Sequence, residues 1–344
     1  MKLGLLLGAW SGSQLRLPIE RVKLAEDLGY DSVWSSEAYG ADAFGPLAYL
    51  ASVTDRIKLA TAVVQIGART PAATAMGFAT IEALAGPGRV IVGLGLSGPQ
   101  IIEGWYGEPW AKPIARTRDT VAIMRKIFER EGAVAYDGEA ISLPYDGPDA
   151  SGVGKPLKSI LRTNPDTPIF LAAGGPVNVA LTAEIADGWL PMGFSPSNAE
   201  NFRSALEKGA ARSGRSLDTL EIQSGCSVRI TDDVGAVIAA AKPQIGFYVG
   251  GMGSREQNFH KDAMTRRGYG DAANRIQELF LGGHRDEAID AVPDEYIDEG
   301  GLYGSPQRIR ERLEPWTRCG ITGLTINTDQ DEALELMADL LETR

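Results

Sequence analysis

Lys2-Leu3-Gly4-Leu5-Leu6-Leu7 is followed by an amphipathic run over 18–28 and then by Gly29-Tyr30-Asp31-Ser32-Val33-Trp34-Ser35. The first segment is a short continuous apolar run, as in a strand buried on both faces. In the second, Ile19, Val22, Ala25 and Leu28 recur at helical spacing, and Gly29 stands where a helix stops on a left-handed residue. The third is a second strand. One strand, one helix and one strand make a unit whose strands run parallel, because a helical crossover returns the chain in the same direction.

The unit recurs along the chain. Strands are expected over 57–64 and 89–94, and helices over 46–53, 71–84 and 116–128. Residues 131–168 break the rhythm with Tyr136-Asp137-Gly138 and further Gly and Pro, and read as an inserted hairpin and loop. Alternation resumes with strand 169–172, helix 177–186, a short strand 188–190, helix 198–211 and strand 220–230. Residues 234–290 are helical in pattern without a clear strand, an elaborated connection suited to wall a substrate pocket. Near the end, Ser305 is an expected N-cap with Pro306 at the first helical position. Ile309, Leu313 and Trp316 share a face, and Gly320 is the stop before strand 321–326 and a last helix over 332–341. Eight strands alternating with helices argue for an α/β fold of the closed (β/α)8 barrel kind, a TIM barrel, forming a single domain over 1–344.

A chain of 344 residues suits one barrel, and 44% apolar with 23% charged residues is ordinary globular usage. The formal charge of -11 repels phosphate backbones and anionic lipid, so neither nucleic acid nor a membrane is an expected partner. Cys226 and Cys319 lie too far apart in sequence for a metal motif and form no disulfide framework, which fits a reducing cytoplasm. Two histidines are too few for barrel hydrolases that hold metal with several imidazoles, so no metal is expected. The apolar start, Leu3 to Trp10, has the look of a short signal peptide. A single Lys before it and the strand pattern after it argue instead for the first barrel strand.

In such barrels the chemistry collects at the carboxyl ends of the strands. These are Gly8-Ala9-Trp10, Ser35-Ser36-Glu37-Ala38-Tyr39, Val64-Gln65-Ile66-Gly67, Gly95-Leu96-Ser97-Gly98, Ala173-Gly174-Gly175-Pro176, Pro191-Met192-Gly193 and Asn327-Thr328-Asp329. They hold no Lys, no His and one early carboxylate, Glu37, so aldolase, two-metal and paired-carboxylate chemistry lack parts. Small residues that can line a bound cofactor remain. Gly93-Leu94-Gly95-Leu96-Ser97-Gly98 matches G-x-G-x-x-G but ends a fourth strand instead of opening a first helix. It reads either as crowding inside a barrel or as close approach to a flat ring. At Gly174-Gly175-Pro176 the bare amides of a helix N-terminus suit a phosphate, or the turn is simply tight. Glu37 is a working group or a loop charge. Trp10, Trp105 and Trp110 border a pocket or pack, and His260 and His284 fall outside the strand ends.

The order of these motifs resembles the luciferase-like monooxygenase superfamily, in particular its branch that uses the deazaflavin coenzyme F420. The resemblance rests on Lys2-Leu3-Gly4-Leu5, the run from Ala25 to Trp34, Arg89-Val90-Ile91-Val92-Gly93-Leu94-Gly95, Ala172-Ala173-Gly174-Gly175-Pro176, Ala186-Asp187-Gly188-Trp189 and Tyr303-Gly304-Ser305-Pro306. It implies a deazaflavin over the ends of strands two to four, its phosphate at Gly174 and Gly175, and a non-proline cis peptide between Ala62 and Val63 or one residue later. On this basis Glu37, Ala62, Val63, Gln65, Gly95, Leu96, Ser97, Gly98, Ala173, Gly174, Gly175, Met192 and Gly193 are the expected cofactor residues, and Glu37 the candidate catalytic group. Tyr39 and Tyr106 are the other candidates for handling a proton. The chain departs from the sugar-phosphate dehydrogenases of this branch, with Ala38 where they have His and Gly98 where they have Glu, so sugar-phosphate oxidation is not expected. The implied activity is hydride transfer between F420 and a small organic substrate. The alternatives are an FMN-dependent monooxygenase and a non-catalytic deazaflavin-binding protein. A homodimer is expected from the same resemblance and from helices 46–53 and 71–84, whose Ala, Leu and Met content leaves few charged residues to form a solvated face.

Overall fold

The computed structural model describes residues 1–8 and 13–343. Eight parallel strands form a ring: β1 Lys2–Leu6, β2 Ser32–Ser35, β3 Lys58–Thr61, β4 Val90–Gly95, β5 Ile169–Ala173, β6 Gly188–Pro191, β7 Glu221–Ile230 and β8 Gly323–Asn327. Each pairs with the next, and β8 returns to β1 from Lys2↔Gly323 to Leu5↔Ile326, which closes the barrel. Trp10, and with it part of the first strand end, lies outside the described residues.

Alternation along each strand sorts side chains into two layers. Leu5, Val33, Leu59, Val92, Leu171 and Ile326 belong to the large core between strands and helices. Their neighbours Trp34, Ala60, Ile91, Phe170 and Leu190 fill the barrel lumen. Each large side chain so buried contributes roughly 2 kcal/mol. The lumen face of β7 and β8 differs. Gln223 Nε2 donates to Thr325 Oγ1 at 3.0 Å and Asn327 Nδ2 to Ser227 Oγ at 3.4 Å, so this side of the barrel is polar.

Most helices lie within a few residues of their expected positions. Gly29 takes φ 79° after helix Ile19–Asp27, and Ser305 Oγ accepts from Arg308 N at the start of helix Pro306–Arg318. Three expectations are corrected. Strand 57–64 is not continuous: β3 ends at Thr61, Ala62–Val63 is a cis peptide, and pairing resumes with Val64↔Leu94 and Gln65↔Gly95. Helix 198–211 opens as a 3-10 turn, Pro196–Phe202, under a Ser195/Asn198 capping box, and becomes α-helical only at Arg203–Ser213. A strand not foreseen, Gly301–Gly304, pairs with Ser227–Ile230 of β7, beyond the point where β6 pairs at Glu221 and Ile222. Its Gly-Leu-Tyr-Gly sequence carries no strand period.

The insertion after the fourth unit contains the hairpin Tyr136–Asp137 and Ser142–Leu143. Asp119 anchors it, accepting from the Tyr136 hydroxyl and from the amides of Ala140 and Ile141 at 2.7–3.0 Å. After β7, helices Val234–Gly251, Phe259–Met264, Gly270–Leu281, Arg285–Asp290 and Asp294–Asp298 build a second apolar cluster around Ile238, Val249, Met264 and Ile276. This elaboration reaches the barrel mouth at β6, where a β-carbon on Gly193 would lie 2.6 Å from that of Ala263. Among the described residues, no helix is long and apolar enough to cross a membrane.

Candidate active site

The end of β2 carries Glu37, which is buried among its neighbours. Its Oε1 lies 2.7 Å from Arg69 Nη2, and its Oε2 accepts from Arg69 Nη1 at 2.9 Å and from the Gln65 amide at 3.1 Å. Gln65 Nε2 in turn donates to the Glu37 backbone carbonyl. One side chain therefore ties the end of β2 to the segment after the cis peptide and to the loop before helix Pro71–Ala85. The hydrogen bond that Arg69 donates to Glu37 pushes its guanidinium above the ordinary value. Tyr106 lies beside this pair. Burial chiefly, with the Glu37 charge, raises its phenol. Tyr39, by contrast, is half exposed.

Ala62 and Val63, half-buried, sit in the cis peptide at the end of β3, where the resemblance placed it. A β-carbon on Gly93 would overlap the Thr61 carbonyl, and one on Gly95 would lie 2.5 Å from Val63 Cγ2. Crowding inside the barrel accounts for these two glycines of the G-x-G-x-x-G match. Leu96, Ser97 and Gly98 continue the strand end toward the short helix Pro99–Ile102, with Ser97 at φ 60°.

At the end of β5, Ala173 is buried and its carbonyl accepts from Met192 N at 3.1 Å, which locks the ends of β5 and β6 together. A β-carbon on Gly174 would press within 3.0 Å of the Met192 carbonyl. Gly175 is different. Its φ of -82° is open to any residue, and nothing lies within 4 Å of where a β-carbon would point. Helix Pro176–Ile185 starts there without a side-chain cap, which leaves the amides that follow Pro176 without a side-chain partner. This is the geometry that receives an anionic oxygen. Ala172, three residues before Gly175, pairs with Gly95, where a β-carbon would point at Val63, so the helix start and the cis-peptide segment flank the same strand ends.

Residues 7–323 match the luciferase-like monooxygenase family. The chain belongs to this family. A Mycobacterium tuberculosis member, provisionally named a coenzyme F420-dependent oxidoreductase, is 43% identical over 99% of both chains. A member from Archaeoglobus fulgidus, named 5,10-methylenetetrahydromethanopterin reductase, is 30% identical over 92% of both. Among solved structures of similar fold is the F420-dependent tetrahydromethanopterin reductase from Methanopyrus kandleri. It has a TM-score of 0.77 and 25% identity, covering 98% of this chain and 96% of that one.

Sequence reasoning about this luciferase-like chain missed Arg69. The cation sits four residues beyond Gln65, just before Thr70-Pro71, so an inventory of strand ends that stops at Gly67 passes it by. The other expected residues gather at the ends of β2 to β6. Trp105 is largely exposed, and Trp110 lines a small cavity together with Ile66, Gly67 and Ile102. His260 packs against Tyr248 with centroids 4.6 Å apart and ring planes tilted by 41°, and burial pushes its imidazole below the ordinary value.

Proposed function

We propose that this chain is a coenzyme F420-dependent oxidoreductase that holds the deazaflavin across the ends of β2 to β5 and exchanges a hydride with a small organic substrate. The observation that carries the reading is the uncapped helix start at Gly175, next to a floor of small side chains. The names of the M. tuberculosis relative and of the M. kandleri structure, both of which include coenzyme F420, support the choice of deazaflavin over FMN. The bound coenzyme supplies a two-electron carrier that reacts poorly with oxygen. The protein supplies the rest: Gly174 and Gly175 receive the phosphate, while Ala62, Val63 and Gly95 form the floor. Leu96, Ser97, Gly98, Ala173, Met192 and Gly193 form the rim. Glu37 fixes Arg69 and the Gln65 amide in place, and Tyr106 stands nearby with a proton. The catalytic assignment at this cluster follows the same reading.

The test separates F420 from FMN chemistry. Purified protein is loaded with each cofactor, reduced without oxygen and then mixed with air-saturated buffer. Reduced F420 is expected to persist until a substrate is added. Rapid reoxidation by air of a tightly bound FMN, with F420 failing to bind, would assign the chain to the monooxygenase side of its family.

We further propose a homodimer, joined through helices Phe44–Ala51 and Pro71–Ala85, whose outward Tyr49, Met76 and Leu84 are exposed. Glu82 is the one charged residue of these helices, and it is turned inward to accept from the Gly88 amide. Cytoplasmic placement suits the two cysteines, which are free and form no disulfide.

A further inference from the structure

A cavity of about 830 Å³ opens at the mouth on the side away from Gly175, between the ends of β1, β7 and β8 and helix Val234–Gly251. Its size is that of small-molecule pockets. Leu7, Val228, Val237 and Ala240 give it an apolar wall, and Ser227 and Asn327 bring the polar lumen face of β7 and β8 up into it. The charged side chains on its rim are already paired. Arg229 Nη1 lies 2.7 Å from Asp329 Oδ1. Arg21 Nε lies 2.8 Å from Asp331 Oδ1, and its Nη2 donates to the Asp329 carbonyl. Asp233 Oδ1 accepts from the Ala236 amide at the start of the helical wall.

We propose that this cavity binds the organic substrate and selects an uncharged molecule with an apolar body and a hydrogen-bonding oxygen, because its two arginines are neutralised by Asp329 and Asp331. The proposal rests on the oxidoreductase reading for the word substrate, but the cavity's preference can be measured without cofactor. An anion entering here finds no unpaired cation among the described lining residues, and it must give up its hydration while passing two carboxylates. A ketone loses less and gains the Ser227 and Asn327 donors.

The probes are benzylacetone and hydrocinnamate, which share shape and differ in a methyl ketone against a carboxylate. Each is titrated by calorimetry into the chain, with and without F420. Benzylacetone is expected to bind at least tenfold more tightly, about 1.4 kcal/mol. Ala240→Trp, on the exposed side of the helical wall, fills the cavity and is expected to abolish benzylacetone binding while circular dichroism stays native. Asp329→Asn frees Arg229 and is expected to raise the affinity for hydrocinnamate relative to benzylacetone by tenfold or more. Equal binding of the two probes by the wild type, binding of neither, or undiminished binding by folded Ala240→Trp would overturn the proposal. Failure of F420 to bind while the probes behave as expected would instead remove the cofactor reading and leave the cavity's selectivity standing.

Discussion

Gly175 and Glu37 act in opposite ways, one through the space it leaves and the other through the contacts it makes. Because Gly175 has a negative φ and open space ahead, Gly175→Ala and Gly175→Asp should both fold. The Asp variant sets a like charge against the phosphate and weakens F420 binding about a hundredfold, roughly 3 kcal/mol. Thermal melts read this directly. At a hundred times the wild-type Kd, F420 stabilises the wild type by about 2.7 kcal/mol and the Asp variant by about 0.4. An Asp variant stabilised as fully as wild type would place the phosphate elsewhere. Glu37→Ala leaves Arg69 and the buried Gln65 amide without their partner, and a loss of about 3 kcal/mol is expected in denaturant unfolding. A loss under about 0.5 kcal/mol would show that the ion pair does not hold the loop. Glu37 was visible in the sequence because it was the one early carboxylate at a strand end. Its partner was not, since nothing local shows that Arg69 folds back across the mouth.

Elements with caps and stops were legible, and those set by their neighbours were not. Gly29, Gly320 and the Ser305-Pro306 start show their chemistry in the sequence, and each stands where it was expected. The break at Ala62–Val63 has no such mark in Thr61 to Gln65, and only the family resemblance pointed to it. Strand Gly301–Gly304 exists because β7 runs past β6 and leaves its upper edge to be paired, a circumstance outside any local window. The helices Phe44–Ala51 and Pro71–Ala85 carry a prediction of their own. Met76→Lys sets a charge in the middle of their outer face and should convert a dimer to a monomer by light scattering at micromolar concentration, with secondary structure intact. A wild-type monomer, or a Met76→Lys dimer, would rule this face out.

At the scale of the whole molecule, the barrel mouth divides into two halves of different chemistry. The ends of β2 to β6 are small-sided and meet an uncapped helix start, whereas the ends of β7, β8 and β1 line an open cavity with paired charges on its rim. The alternation of strands and helices made the barrel readable, and the Gly and Ala at the strand ends made the small-sided half of the mouth readable. The second half is built by the helices between β7 and Gly301–Gly304, whose order in space the sequence pattern leaves open. The central claim is that the first half is a deazaflavin site. It is tested most directly by equilibrium fluorescence titration of the purified chain with F420 and FMN side by side. F420 is predicted to bind at least tenfold more tightly than FMN, about 1.4 kcal/mol or more, and tighter binding of FMN would contradict it.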